Sequence, residues 1–186
     1  MTESVRAASE PEMTRRIQLF MRRPWLDDLP EPPALPPGYI VRAYEPDDLS
    51  TLATLLTRAF GDLWDEEQVR RHLVEAPDVE QIYVIAHQDR LVATASARML
   101  PDVYPGSGYV HWVGADPDYQ GKGLGALVSI RVLQHFRDAG LRDAVLETDD
   151  FRLPALRMYL RLGFVPEYRA PDHQRRWAHL LAQLVR

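Results

Sequence analysis

Three glycines on alternate positions mark the stretch Gln120-Gly121-Lys122-Gly123-Leu124-Gly125-Ala126. The stretch lies between an apolar run of strand length, residues 109–115, and a segment with helical periodicity. Glycines leave backbone N–H groups open to a ligand, and a helix start adds unpaired N–H donors and the positive end of the helix dipole. The pattern therefore predicts an anion site for a phosphate or pyrophosphate, with Lys122 adding a positive charge.

Two familiar nucleotide motifs do not fit this stretch. A P-loop needs a lysine followed by serine or threonine after its last glycine, and the chain has no such pair here. The dinucleotide fingerprint needs Gly-x-Gly-x-x-Gly, whereas Gly121, Gly123 and Gly125 are spaced two apart. A CoA pyrophosphate loop and a glycine-rich connection without a ligand both remain open at this point.

The apolar periodicity predicts an α/β fold. We expect strands at residues 39–44, 82–86, 91–99, 109–115 and 144–147. Helical spacing predicts helices near 46–60, 65–76, 124–139 and 154–162, and again from Trp177 to the end. The order of these elements, with a hairpin among them, implies a sheet with an antiparallel part covered by helices.

The amino-terminal stretch is different in composition. Residues 1–12 are small and polar, which predicts disorder, and six prolines between residues 24 and 37 predict a stiff extended path. Residues 16–21 are either a short strand or an arm packed on the domain. We therefore divide the chain into an amino-terminal arm, residues 1–37, and one domain, residues 38–186.

Composition excludes several classes of function. The 186 residues carry a formal net charge of −5 and no cysteine, which excludes disulfides, thiolate zinc sites and a cysteine nucleophile. The chain shows no basic stripe for nucleic acid and no apolar run of membrane-spanning length. The six histidines form no close pair with carboxylate support, so we expect no metal. We expect a cytoplasmic protein that binds neither nucleic acid nor membrane.

Two motifs together resemble the GNAT superfamily of N-acetyltransferases. The family's Gln/Arg-x-x-Gly-x-Gly/Ala signature matches residues 120–125, and its Ala-x-x-x-Tyr-x-x-x-Gly-Phe helix matches residues 155–164. The resemblance is strong over residues 109–167, looser over 39–99, and does not reach residues 1–37. It implies a mixed, mostly antiparallel sheet with splayed central strands, flanked by helices on both faces.

The resemblance also implies acetyl-CoA as co-substrate and a set of residues that hold it. The backbone of Val113, Gly114 and Ala115 would face the pantetheine arm, with Gly114 permitting a bulge that opens the sheet. The loop from Gln120 to Ala126 would hold the pyrophosphate. Arg152 stands where the family often has asparagine, so that contact is either lost or replaced by an arginine–phosphate contact.

Three residues are candidates for proton transfer. Tyr159, in the helix motif, is the candidate general acid, since a phenol of pKa ~10 can donate to a thiolate whose acid has a pKa near ~8.5. His111 and Glu147 are candidates for the base that deprotonates the amine. Plain structural roles remain the alternative for Tyr159 and His111. Further candidates for the acceptor pocket are three aromatic residues, Trp64, Tyr104 and Trp112.

The resemblance predicts direct transfer of an acetyl group from acetyl-CoA to an amine, carried by a small molecule or a peptide. A non-catalytic module that binds acyl-CoA as a sensor is the main alternative, and an unrelated nucleotide binder is a third. A homodimer through the carboxyl-terminal segment is compatible with the sequence. The usual last strand of the family is replaced by a helical pattern from Trp177, which makes the acceptor side unusual.

Overall fold

The computed structural model describes residues 17–184. Its strands, numbered in chain order, are β1 (Leu19–Arg23), β2 (Tyr39–Ala43), β3 (Val79–His87), β4 (Arg90–Met99), β5 (Ser107–Ala115), β6 (Asp143–Thr148) and β7 (Val165–Glu167). The α-helices are α1 (Leu49–Phe60), α2 (Glu66–Val69), α3 (Leu124–Asp138), α4 (Leu153–Arg161) and α5 (His173–Leu184). The helix predicted at residues 65–76 is α2 followed directly by a π-helical turn, Arg70–Val74.

The strands form one seven-stranded sheet in the order β2-β3-β4-β5-β6-β1-β7. Neighbouring strands are antiparallel except β5 and β6, which are parallel and joined by α3. This agrees with the predicted mixed, mostly antiparallel sheet. The helical prediction for the carboxyl-terminal segment is also confirmed, by α5.

Helices cover both faces of the sheet. Because successive side chains of a strand point to opposite faces, Val84 and Ile85 in β3 belong to different apolar clusters. Ile85 packs in the cluster that holds the buried side chains of α3, α4 and α5, whereas Val84 packs with those of α1 and with Leu73 of the π-helical turn. Each face of the sheet therefore has its own core.

The amino-terminal arm is partly inside the sheet. β1 lies between β6 and β7, and its residues Leu19 and Met21 are fully buried. Of the two alternatives for residues 16–21, the structure shows the strand from Leu19 onward. The division into an arm, residues 1–37, and one domain, residues 38–186, stays a prediction. Residues 1–12, for which we predicted disorder, lie outside the described residues.

The proline-rich stretch connects β1, deep in the sheet, to β2 at its edge. Leu26 is buried, and Leu29 and Leu35 pack on the larger apolar cluster. Pro33 reaches Gly123, where a Cβ would lie 3.8 Å from its ring. Within residues 17–184 no helix has the length and apolar character needed to cross a membrane.

Candidate active site

The sheet opens between β5 and β6. The two strands start side by side, with Ser107 level with Asp143 and Tyr109 level with Val145. Beyond Tyr109, β5 continues along β4 to Ala115, and β6 continues along β1 to Thr148. The described chain shows no pairing between β5 and β6 past this point, so a gap separates their carboxyl ends.

A β-bulge interrupts the pairing of β5 with β4, at the level where β5 has already parted from β6. The register against β4 shifts where Ser96 is level with His111 but Thr94 is level with Gly114. Trp112, within the shift, has φ +46°, which is unusual for a residue other than glycine. The predicted bulge is therefore present, and its residue with positive φ is Trp112 and not Gly114. Gly114 instead allows α1 to approach, since a Cβ there would lie 3.0 Å from the Cβ of Ala59 and from the ring of Phe60.

A cavity of about 250 Å³ occupies the gap. Its walls include the three predicted proton-transfer residues, Tyr159, His111 and Glu147. Val113 and Arg152, predicted to contact the cofactor, line the same cavity. The cavity therefore brings together side chains from β5, β6 and α4 that are up to 50 positions apart in the chain.

The glycine loop lies at the amino-terminal end of α3, outside the residues that line the cavity. Gly121 and Gly123 have φ +78° and +73°, and a Cβ at Gly121 would meet nothing within 4 Å. Gly123 is the N-cap of α3, and no side chain within residues 17–184 caps the helix, so its first-turn N–H groups are available to an anion. These features fit a pyrophosphate.

The loop and α4 are in contact. A Cβ at Gly125 would lie 3.2 Å from Sδ of Met158, the residue before Tyr159. The glycine loop and the predicted general acid are thus on neighbouring elements, as a cofactor that reaches from loop to cavity requires. Gln120 and Lys122 are exposed, and Leu124 is buried beneath the loop.

Glu147 receives two phenolic hydrogen bonds. The hydroxyl of Tyr104 donates to its Oε1 at 3.3 Å, and that of Tyr109 donates to its Oε2 at 3.2 Å. Burial, reinforced by the charge of Glu147, raises the pKa of Tyr109 well above its ordinary value, so the phenol stays a donor. Glu147 itself is exposed on the cavity side, where an acceptor can reach its carboxylate.

His111 is held in a neutral state. Burial and the nearby Arg98 guanidinium lower the pKa of His111 to about 3. Its Nδ1 lies 3.4 Å from Oγ of Ser96 and its Nε2 lies 3.5 Å from a nitrogen of Arg98. A neutral imidazole has room for a proton, but a group with so low a pKa is a weak proton acceptor at neutral pH.

Tyr159 is buried in α4 with its ring against Phe164. Burial raises the pKa of Tyr159 above its ordinary value, and the charge of Arg152 acts in the opposite direction. The guanidinium of Arg152 lies over the ring of Phe60, 4.9 Å from its centre, and 3.3 Å from Oδ2 of Asp149. Arg152 therefore places a positive charge on the same wall as the Tyr159 phenol.

The aromatic candidates for the acceptor pocket take different places. Trp112 lines the cavity, and Trp64 packs edge-on against it with ring centres 4.7 Å apart. Tyr104 is buried on the other side and reaches the site through Glu147. Sequence reasoning missed Phe60 and Gln18, which also line the cavity, because neither belongs to a motif.

Sequence reasoning also missed the group that holds the start of the glycine loop. Asp116 is 1% exposed and accepts hydrogen bonds from Arg58 and Arg90. These arginines are 58 and 26 positions away, so no local pattern connects them. Among the described residues, no group of three or more potential metal ligands is arranged to hold an ion.

A comparison with protein-family models identifies the family of this chain. The model of the acetyltransferase (GNAT) family matches residues 49–164, more than half of the chain. The chain is a member of the GNAT family. The predicted resemblance is thereby confirmed, and the opened sheet beside a glycine loop is the structural form it takes here.

Two curated relatives with the same name match most of this chain. A mycothiol acetyltransferase from Thermomonospora curvata is 36% identical over 166 residues, which cover 85% of this chain and 54% of the relative. The protein of that name from Actinosynnema mirum is 35% identical over 161 residues, or 81% of this chain and 52% of the relative. The chain thus spans about half the length of the curated relatives it matches.

Solved structures show the same fold at lower identity. A GCN5-related N-acetyltransferase from Sphaerobacter thermophilus superposes with TM-score 0.62 at 21% identity, covering 82% of this chain and 50% of that one. A putative GNAT acetyltransferase from Novosphingobium aromaticivorans gives 0.59 at 24% identity, covering 82% and 61%. These similarities confirm the predicted fold class.

Proposed function

We propose that this chain is an N-acetyltransferase that moves an acetyl group directly from acetyl-CoA to an amine. The observation that carries the proposal is the single cavity at the split of the sheet, which holds both Tyr159 and Glu147. One of them is a protonated phenol and the other an exposed carboxylate. Acyl transfer to an amine needs such a donor and such an acceptor at one site.

The chain's own groups fit the cofactor. The open glycine backbone and the uncapped first turn of α3 are suited to a pyrophosphate, with Lys122 beside them. When bound, acetyl-CoA supplies an activated acetyl group as a thioester. Val113 and Ala115 of β5 border the gap, and their backbone N–H groups are the candidates for polarising a carbonyl oxygen. Arg152 adds a positive charge to the cavity wall.

Proton transfer is assigned by the chemistry of each side chain. Tyr159 holds a proton throughout the neutral range and donates it to the departing thiolate. Glu147 is the better candidate for the base, because its carboxylate is exposed to the cavity and His111 is a weak acceptor. The two phenols that donate to Glu147 fix the orientation of its carboxylate.

The acceptor is proposed to be a small-molecule amine. The names of the curated relatives support this class over a peptide amine. The acceptor side of the cavity combines Glu147 with aromatic walls from Tyr109 and Trp112, which suits a cationic amine on a compact body. Cytoplasmic location and a homodimer stay predictions.

The test has a binding step and a turnover step. Calorimetry with acetyl-CoA, with ATP and NAD as controls, should show CoA-selective binding, and thiol release in the presence of amines should show turnover. Gly123→Glu should abolish binding by placing a side chain and a negative charge in the pyrophosphate site. Gly140→Glu is the matched control, since Gly140 lies just beyond the other end of α3, with φ +76° and open space around it.

Each outcome separates the alternatives. Binding that both glutamate variants retain would refute the loop assignment, and equal binding of ATP would favour an unrelated nucleotide site. CoA-selective binding without thiol release across a panel of amines would favour the non-catalytic sensor. Binding and release together, lost in Gly123→Glu alone, would establish the enzyme.

A further inference from the structure

A buried carboxylate collects four hydrogen bonds at the point where β5 ends and the glycine loop begins. Arg58 donates to Asp116 through both Nε, at 2.8 Å, and a terminal nitrogen, at 2.9 Å. Arg90 donates at 3.1 Å and the backbone N–H of Asp118 at 3.0 Å. Asp116 is 1% exposed, so these donors surround a carboxylate removed from water.

The donors come from three separate elements. Arg58 is in the last turn of α1, Arg90 begins β4, and Asp118 lies in the short turn before the loop. Arg58 also donates to the carboxylate of Asp118 at 2.6 Å, so one guanidinium binds two residues of the turn. The side chain of Asp116 therefore joins α1, β4 and the approach to the glycine loop.

The backbone around Asp116 makes the turn itself stiff. Its N–H donates to the carbonyl of Val92, and its carbonyl accepts from the N–H of Tyr119, both at 2.9 Å. Tyr119 packs edge-on against the stacked rings of Tyr39 and His87, with ring centres 6.2 and 5.6 Å away. Gln120 follows directly, so the position of the first loop residue depends on this anchored turn.

We propose that Asp116 is a positioning residue for the cofactor, which acts by holding the glycine loop in the geometry that receives the pyrophosphate. The inference rests on the proposed function, and it assigns a role to residues outside the loop and the cavity. Asp116 is not among the residues that line the cavity, and its carboxylate is buried. Its loss should weaken acetyl-CoA binding and raise the KM for acetyl-CoA, while kcat at saturation changes little, because Tyr159 and Glu147 stay in place.

A second buried aspartate in the chain serves as a control for general loss of stability. Asp48 is also buried, accepts two hydrogen bonds from Arg42 and accepts one from the backbone N–H of Glu45. As with Asp116, hydrogen bonds from its arginine lower the pKa of its carboxyl group. Asp48 lies at the start of α1, away from the glycine loop. Asp48→Asn therefore removes a similar ion pair without touching the loop.

The experiment compares Asp116→Asn with Asp48→Asn, and Arg58→Lys with Arg42→Lys. We expect Asp116→Asn to raise the Kd for acetyl-CoA about tenfold or more, as misplacement of a binding group does, with a smaller rise for Arg58→Lys. The two control variants should keep the wild-type Kd. Equal Kd changes in the two pairs, or none at all, would overturn the proposal.

Hydrogen exchange of the unliganded protein supplies a readout that does not depend on binding. The N–H groups of Asp118, Tyr119 and Gln120 are all hydrogen-bonded within the turn. Their exchange should accelerate in Asp116→Asn but not in Asp48→Asn, and unchanged exchange would also overturn the proposal. A wild type that binds no acetyl-CoA would refute the proposed function, and with it the cofactor role of Asp116. Accelerated exchange in Asp116→Asn would then show only that Asp116 stiffens the turn.

Discussion

The Gly163-Phe164 pair that ends the family's helix motif forms the carboxyl-terminal cap of α4, and the energetic need for glycine in this cap can be tested. At the end of α4 the N–H of Phe164 donates to the carbonyl of Tyr159, and the N–H of Gly163 donates to that of Leu160. These two bonds, with Gly163 at φ +83° and the ring of Phe164 against Tyr159, make a Schellman motif. In addition, a Cβ at Gly163 would collide with the guanidinium of Arg23.

The end of α3 has the same motif without the obstacle. The N–H of Leu141 donates to the carbonyl of Phe136, and the N–H of Gly140 donates to that of Arg137. Gly140 has φ +76°, and a Cβ there would meet nothing within 4 Å. The two glycines therefore differ mainly in the presence of Arg23.

The expected cost of alanine follows from this difference. Gly140→Ala should lower the free energy of unfolding by about 1–2 kcal/mol, the penalty for a side chain in the left-handed region. Gly163→Ala pays the same penalty and also displaces Arg23, whose guanidinium donates to the carbonyl of Leu162 at 2.6 Å and to Asp28. Loss of a buried charged hydrogen bond adds about 1.5–3 kcal/mol, for a total of about 2.5–5 kcal/mol.

Urea unfolding monitored by tryptophan fluorescence measures both variants, with the m value checked for constancy. In an Arg23→Met background the cost of Gly163→Ala should fall to that of Gly140→Ala. Equal costs for the two alanine variants in the wild-type background would refute the reasoning, since Arg23 would then contribute nothing to the need for glycine.

Three predictions concern the cavity. Tyr159→Phe should lower kcat about a hundredfold with little change in the Kd for acetyl-CoA, and Glu147→Gln should lower kcat by a similar factor. Calorimetry measures the Kd and thiol release measures kcat. Wild-type turnover in either variant would remove that residue from its proposed role. Because the pKa of His111 is about 3 in the folded protein and ~6.5 in an unfolded chain, its contribution to stability is present above pH ~6.5 and is lost as the pH falls toward 3. The free energy of unfolding should therefore drop by about 2 kcal/mol between pH 7 and pH 5 on account of this residue, and the drop should be smaller by that amount in His111→Asn.

Local patterns predicted the elements and part of the site. The α3 and α4 helices end at Gly140 and Gly163, as expected from the glycines that follow each apolar periodicity. Tyr159, His111 and Glu147 meet in one cavity because consecutive elements of this fold meet at the carboxyl ends of β5 and β6. The helix ends depend on short sequence spacing, which a single sequence records, whereas the three cavity residues were predicted from the resemblance to the family.

Features that depend on distant pairing were not predictable. β7 is only three residues long and contains Pro166, so no strand pattern marks it. The bulge was expected at Gly114, but the residue with positive φ is Trp112, whose strained backbone is held by ring contacts to Phe60 and Trp64. The positive φ of Trp112 depends on its packing neighbours, and the residue type alone does not predict it.

The position of β1 connects the amino-terminal arm to the site. β6 separates from β5 after Val145. Among the described residues, the last residues of β6 then pair with one strand only, β1, with Thr148 opposite Leu19. Glu147 lies opposite Phe20 in this pairing, and Gln18, just before β1, donates to Asp149 at 3.0 Å. An opened sheet leaves backbone groups without strand partners, so the wall that carries Glu147 depends on β1 for its hydrogen bonds. The family match begins at residue 49, and yet a strand at residues 19–23 holds one wall of the cavity in place.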